Sequence, residues 1–274
     1  MMKFAASDIH ISIAAEPLFE IFGFPVTNAL LTGVIGTVIT VAVLAGVAGR
    51  IKRGRYNRFV GLIQWVFEGL IKSIHDIIPD KQMARKITPL AVTIFFFVLF
   101  NYWLSIMPGI DSIRIGEVPV FRSLVADLNF TLGLAIITII TVQVYAIRHL
   151  GVFSNASRYF RNPLKDPVGA FEGILELLGE FSRGVALSLR LFGNAFAGEV
   201  LLVVIAFLTG YMAAVTLPIF MAFELFIGFI QAYVFFVLTL IFTALAVAHH
   251  GPSKDSSDDH SLTAIAPKPV PARK

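Results

Sequence analysis

Cysteine is absent from all 274 residues, so neither a disulfide framework nor a thiolate metal centre can organise this chain, and its redox compartment stays open. Charge is scarce as well. Only 15% of residues are Asp, Glu, Lys or Arg, against about a quarter in ordinary soluble domains, which excludes water as the main solvent. No Gly-x-x-x-x-Gly-Lys loop occurs, and that absence leaves no phosphate cradle for nucleotide chemistry by this chain itself. An inverted pair of interrupted apolar segments, the mark of many secondary transporters, is also missing. The first 24 residues carry one basic side chain, Lys3, against Asp8, Glu16 and Glu20, which is not the pattern of a secretory signal.

What is present is apolar. Hydrophobic residues make up 57% of the chain and mean hydropathy is +0.80, with uncharged runs recurring at the length that matches about 30 Å of hydrocarbon. The expectation is an all-α integral membrane protein forming one polytopic domain over 1–250. Its crossings are expected at 25–49, 88–107, 127–147, 168–209 and 216–249. Between the first two, Val60, Ile63, Phe67, Leu70, Ile74 and Ile78 alternate with Gln64, Glu68, Lys72, His75 and Asp76 at helical spacing, which predicts an amphipathic helix over 57–82 lying on the membrane surface. The end of the chain, 251–274, is polar and reads as a disordered tail.

The net charge of +4 does not point to nucleic acid, because the cations lie in short clusters between apolar runs rather than on one folded face. Arg50, Lys52, Arg53, Arg55 and Arg58 follow the first run, and Arg148, Arg158, Arg161 and Lys165 follow the third, whereas the other side carries Lys3, Arg114 and Arg122. Dense clusters stay cytoplasmic, so the N-terminus is expected outside and the C-terminus inside, in the cell (inner) membrane.

Chemistry concentrates in the last two apolar segments. Arg190 stands near the middle of the fourth, among Leu187, Leu189, Leu191 and Phe192, where an arginine costs about 2.5–3.5 kcal/mol or more, so its charge is expected to be held by something inside. A structural arginine paired within the bundle is the plainer alternative. At 100° per residue, Glu176, Glu180, Arg183, Arg190 and Asn194 share one broad stripe, while Glu199 lies about half a turn away. The last segment adds Glu224 and Gln231, seven apart, with Gly228 between them permitting close approach of another helix. An antiparallel hairpin turning near Gly210 and Tyr211 sets Arg190 level with Gln231 and Glu199 level with Glu224. Two carboxylates at one depth suggest a hydrated, protonatable pocket.

Leu187-Ser188-Leu189-Arg190-Leu191-Phe192-Gly193-Asn194, continuing through Ala197-Gly198-Glu199, resembles subunit a of F-type ATP synthases, as does Phe229-Ile230-Gln231-Ala232-Tyr233-Val234-Phe235 followed by Val237-Leu238-Thr239. The resemblance extends over most of the chain. It implies that Arg190 faces a rotating ring of c subunits, with Gln231 beside it and Asn194 on the same face. Glu199 and Glu224 would line a half-channel to the outside together with Asp127 and Asn129, and Glu176 and Arg183 would adjoin the cytoplasmic half-channel. It further implies a non-catalytic subunit with no cofactor and no metal. Its partners would be the c-ring, the b-subunit peripheral stalk, the remaining synthase subunits and membrane lipid. The choice between proton and sodium would lie chiefly with the c subunit, proton being the commoner case in that family. A secondary transporter using Arg190 to bind an anionic substrate is the alternative, and a scaffold subunit with polar interhelical glue is a third.

Overall fold

The computed structural model describes residues 14–107, 113–115, 118–153, 159 and 167–248; the polar tail expected over 251–274 and most of the acidic N-terminal stretch lie outside the described residues. Six long helices carry the fold: α1 (Asn28–Lys52), α2 (Arg58–Ile77), α3 (Lys81–Ser105), α4 (Leu128–Leu150), α5 (Pro167–Thr209) and α6 (Ala213–Ala248). Asn28–Lys52, Lys81–Ser105, Leu128–His149 and the run Pro167–Val247 are long and apolar enough to cross a membrane. The protein is therefore an all-α, multi-pass membrane protein.

Local chemistry sets the helix ends. The side chains of Thr27, Asn57, Asp80 and Asp127 accept from backbone amides in the first turns of α1, α2, α3 and α4, satisfying donors that have no intrahelical partner. The amphipathic pattern read as one helix over 57–82 stops at Ile77, and α3 begins at Lys81 rather than at 88. Pro79 explains the break, since it forces Ile78 into an extended conformation with φ −115° and ψ 100°. Asp80 then starts the next helix. Periodicity alone does not register the break because apolar residues continue across it.

The last two helices form the expected hairpin. A 3-10 turn over Gly210–Met212 joins them, opened by Gly210 at φ +50°, a conformation that glycine adopts without strain. The 43 residues of α5 extend about 64 Å at 1.5 Å per residue, roughly twice the hydrocarbon thickness, so α5 cannot stand upright wholly within the bilayer.

Two short antiparallel ribbons depart from the all-helical expectation. Pro17–Ile21 (β1) pairs with Phe24–Thr27 (β2), and Arg114–Ile115 (β3) pairs with Val118–Pro119 (β4). The first closes through Phe22 and Gly23 with φ 51° and 80°, the signs required by a tight type I′ hairpin. Both ribbons are tied to the head of α1. The Asn28 side chain accepts from the Glu16 amide at 3.2 Å and donates to the Pro119 carbonyl at 3.2 Å. The Thr32 hydroxyl accepts from the Arg122 amide at 3.1 Å, and the Arg122 guanidinium donates to the Ala14 carbonyl.

The core lies where α3 meets α5 and α6. Phe95, Phe96 and Tyr102 of α3, Leu187 and Leu191 of α5, and Phe235, Phe236 and Leu240 of α6 are all fully buried. Lipid is as apolar as leucine, so helix association here rests on close packing and interhelical hydrogen bonds. Phe95 meets Phe236 and Phe229 edge-on at ring distances of 6.3 and 5.9 Å.

Candidate functional site

Arg190 lies on the outer surface of α5, and among the described residues no side chain pairs with it. The plainer alternative, an arginine paired within the bundle, finds no partner for Arg190 among the described residues. Leu187, Ser188 and Leu191 occupy the packed face of α5, which turns Arg190 and Leu189 outward. Leu189, Phe226 and Ile230 are likewise exposed on these two helices, and so is Asn194 one turn beyond the cation.

One turn further along, the hairpin register delivers the expected partners in a different pairing. Asn194 Nδ2 donates to Gln231 Oε1 at 2.7 Å, linking α5 to α6. Gln231 is only 3% exposed, and its Nε2 has no hydrogen-bond partner among the described residues. A buried unpaired amide donor costs about 1–3 kcal/mol. Gln231 therefore bonds Asn194 rather than Arg190.

Glu199 and Glu224 line one cavity of about 250 Å³ together with Tyr102, Ser105, Leu217 and Met221. Glu224 is 4% exposed and its Oε1 accepts from the Tyr102 hydroxyl at 2.6 Å. Its carboxylate lies directly on Gly198, where a Cβ would come within 1.9 Å of Oε1, so only glycine permits this approach. Gly228 admits the Tyr102 ring in the same way, a Cβ there falling 2.5 Å from the ring carbons. Glu199, half a turn around α5 from Arg190, accepts from the Ser123 amide at 3.2 Å. The two carboxylates thus reach the same space from neighbouring helices.

On the other side of Arg190, about 15 Å along α5, Glu180 gathers a second polar group. Its Oε1 accepts from the Tyr159 hydroxyl at 2.5 Å and its Oε2 from Gln143 Nε2 at 2.6 Å. Arg183 is 3.8 Å from Glu180 and lies 5.5 Å above the Phe242 ring. A small cavity of about 20 Å³ separates Thr138, Gln143, Glu180, Arg183 and Phe242. Glu176 is half-buried one turn earlier.

Asp127 and Asn129 do not join the Glu199–Glu224 cavity. The Asp127 side chain accepts from the Asn129 amide at 3.0 Å as the cap of α4, and Asn129 is exposed.

Tyr102, Ser123, Gln143 and Tyr159 went unmarked in the sequence. Gln143 had a signal, an amide within an apolar run. Tyr102 had none, because nothing local relates it to Glu224, 122 positions away.

The fold and its polar groups define a multi-pass helical membrane protein that carries ionisable groups into the bilayer. The sequence matches the family described as ATP synthase A chain over residues 30–244, and the chain belongs to that family. It thereby takes that family's ion-translocating role in the ATP synthase, which sets aside the transporter and scaffold alternatives. Among its relatives, "ATP synthase subunit a" of Acidothermus cellulolyticus is 27% identical over 252 residues, covering 89% of this chain and 87% of that protein. "ATP synthase subunit a 2" of Vibrio campbellii is 30% identical over 244 residues, covering 84% and 91%. "ATP synthase subunit a" of Mycobacterium leprae is 34% identical over 173 residues, covering 62% and 67%.

Proposed function

We propose that this chain is the stator half of a proton path, in which Arg190 confronts a carboxylate on each c subunit of a rotating ring. The observation that carries this reading is the exposure of Arg190 on α5 without a partner among the described residues. A cation at that depth is costly unless a carboxylate from another subunit meets it. Each ring carboxylate stays neutral while facing lipid and ionises opposite Arg190 or at a water-filled pocket, which ties rotation to protonation.

Protons enter and leave by two offset half-channels. The outer one is the Glu199–Glu224 cavity, supported by Tyr102. The inner one adjoins Glu176, Glu180 and Arg183. Arg190 blocks the short route between them, so a proton rides the ring for most of a turn. Each charge crossing 100 mV releases about 2.3 kcal/mol, so several protons must pass for each nucleotide made. Nucleotide chemistry belongs to other subunits, and the chain itself is non-catalytic. The c-ring and the b-subunit peripheral stalk are its partners in the membrane, with the polytopic domain over 1–250 and the tail over 251–274 inside the cell.

ATP-driven acidification of inverted vesicles tests this reading in Arg190→Ala. Pumping should vanish while the complex remains assembled, and persistent coupled pumping would overturn the assignment. Orientation is tested by single cysteines, since the chain has none of its own. A cysteine at Phe22 should react with an impermeant thiol reagent on intact cells, and one at Phe153 should not.

A further inference from the structure

Away from the ion path, α1, α2 and α3 line a half-open cleft of about 490 Å³, in the size range of small-molecule sites. Val47 and Ile51 of α1, Ile63 and Phe67 of α2, and Val92 and Phe96 of α3 form its walls. Gln64, Thr88 and Thr93 supply the few polar side chains there, and Gln64 already donates to Glu68 at 2.8 Å. Such a space takes a hydrocarbon chain.

The basic end of α1 adjoins this cleft. Arg50 and Lys52 flank Ile51 on either side of the lining face, at about 100° per residue, and Arg53, Arg55 and Arg58 follow. All five are exposed, and among the described residues none of their side chains has a hydrogen-bond or ion-pair partner. Five free cations within nine positions repel one another, and an anion at that site would relieve the repulsion. Tyr56, Phe59 and Trp65 are exposed beside them, at 67%, 46% and 70%, aromatic side chains of the kind that favour the headgroup level.

From the apolar cleft and the free cations at its edge we infer that this site binds one anionic phospholipid, its acyl chain among α1, α2 and α3 and its phosphate on Arg50, Lys52 and Arg53. Basic pockets between membrane helices hold anionic headgroups by the same electrostatics. The site is independent of the Arg190 reading.

The test uses intact ATP synthase containing this chain, purified in detergent and incubated with radiolabelled phosphatidylglycerol or with phosphatidylcholine of the same acyl chains. Lipid retained after gel filtration is counted per complex. The triple variant Arg50→Gln, Lys52→Gln, Arg53→Gln should lose about one phosphatidylglycerol per complex at limiting lipid, with affinity lowered about tenfold or more, and should keep its phosphatidylcholine. Ala48→Phe and Thr93→Phe fill the cleft from opposite walls, so either one that assembles should show the same loss. Undiminished phosphatidylglycerol in the triple variant overturns the proposal, since its substitutions are exposed and outside the core. Equal retention of the two lipids by the unaltered complex also overturns it, as does cross-linking of a cysteine at position 93 to another subunit, which would make the occupant a protein segment.

Discussion

Two arginines seven residues apart on α5 share one stripe of the helix and have opposite surroundings. Arg183 lies 3.8 Å from Glu180 and 5.5 Å over the Phe242 ring, so its charge is answered within the chain. Arg190 stands exposed on α5 with no partner among the described residues. The difference separates an arginine whose charge is met inside the bundle from one that the described residues leave unpaired. Sequence position alone does not distinguish them.

Arg190 provides the most severe way to break this comparison. Arg190→Ala should remove ATP-driven pumping altogether, and Arg190→Lys nearly so, because a compact ammonium lacks the planar fork of donors. Since Arg190 supports no contact within the described chain, the amount of assembled complex should match the wild type. A collapse of assembly in both variants would mean that Arg190 is structural after all.

The carboxylate pair should give the next largest effect. Glu199→Gln and Glu224→Gln should each reduce pumping in part, because water and the remaining carboxylate can still pass protons through the shared cavity. The double variant should fall well below the product of the two single losses, the mark of groups sharing one site. Independent, multiplying losses in matched vesicles would refute a shared pocket.

Arg183→Ala should behave unlike Arg190→Ala. It removes a cation–ring contact worth about 0.5–2 kcal/mol and a partly exposed ion pair worth less than about 1 kcal/mol. The thermal stability of the purified complex should drop modestly and pumping should persist at a reduced rate. Loss of pumping as complete as in Arg190→Ala, with assembly intact, would erase the distinction between the two arginines.

Tyr102→Phe should have the smallest effect. It deletes the hydroxyl that donates to Glu224, a hydrogen bond of about 1 kcal/mol net, and leaves the ring against Gly228 in place. Pumping should fall no more than about fivefold, and combining the change with Glu224→Gln should add little. A full additional loss in the combined variant would show that Tyr102 acts apart from Glu224.

Much of the architecture was legible because a helix in lipid must satisfy its own backbone and run long enough to cross, so apolar length reports it directly. The hairpin register was legible too, since a fixed rise per residue sets which positions come level. The break at 78–80 was missed because the amphipathic pattern continues past Pro79. The β ribbons at 17–27 and 114–119 were missed because each is only a few residues long and carries no sustained alternation.

The sequence by itself determined that this chain is a multi-pass membrane protein, where most of its helices lie, that the last two fold back at Gly210, and that Glu199 comes level with Glu224. Those properties depend on composition and helical pitch, which act along the chain. Tertiary structure alone decided which polar groups meet: Tyr102 with Glu224, Ser123 with Glu199, Asn194 with Gln231, and Gln143 with Glu180. Each of these contacts joins segments 37 to 122 positions apart, and which side of a helix finds a neighbour is set by the packing of the whole bundle. That packing closes around Arg183 and leaves Arg190 outside.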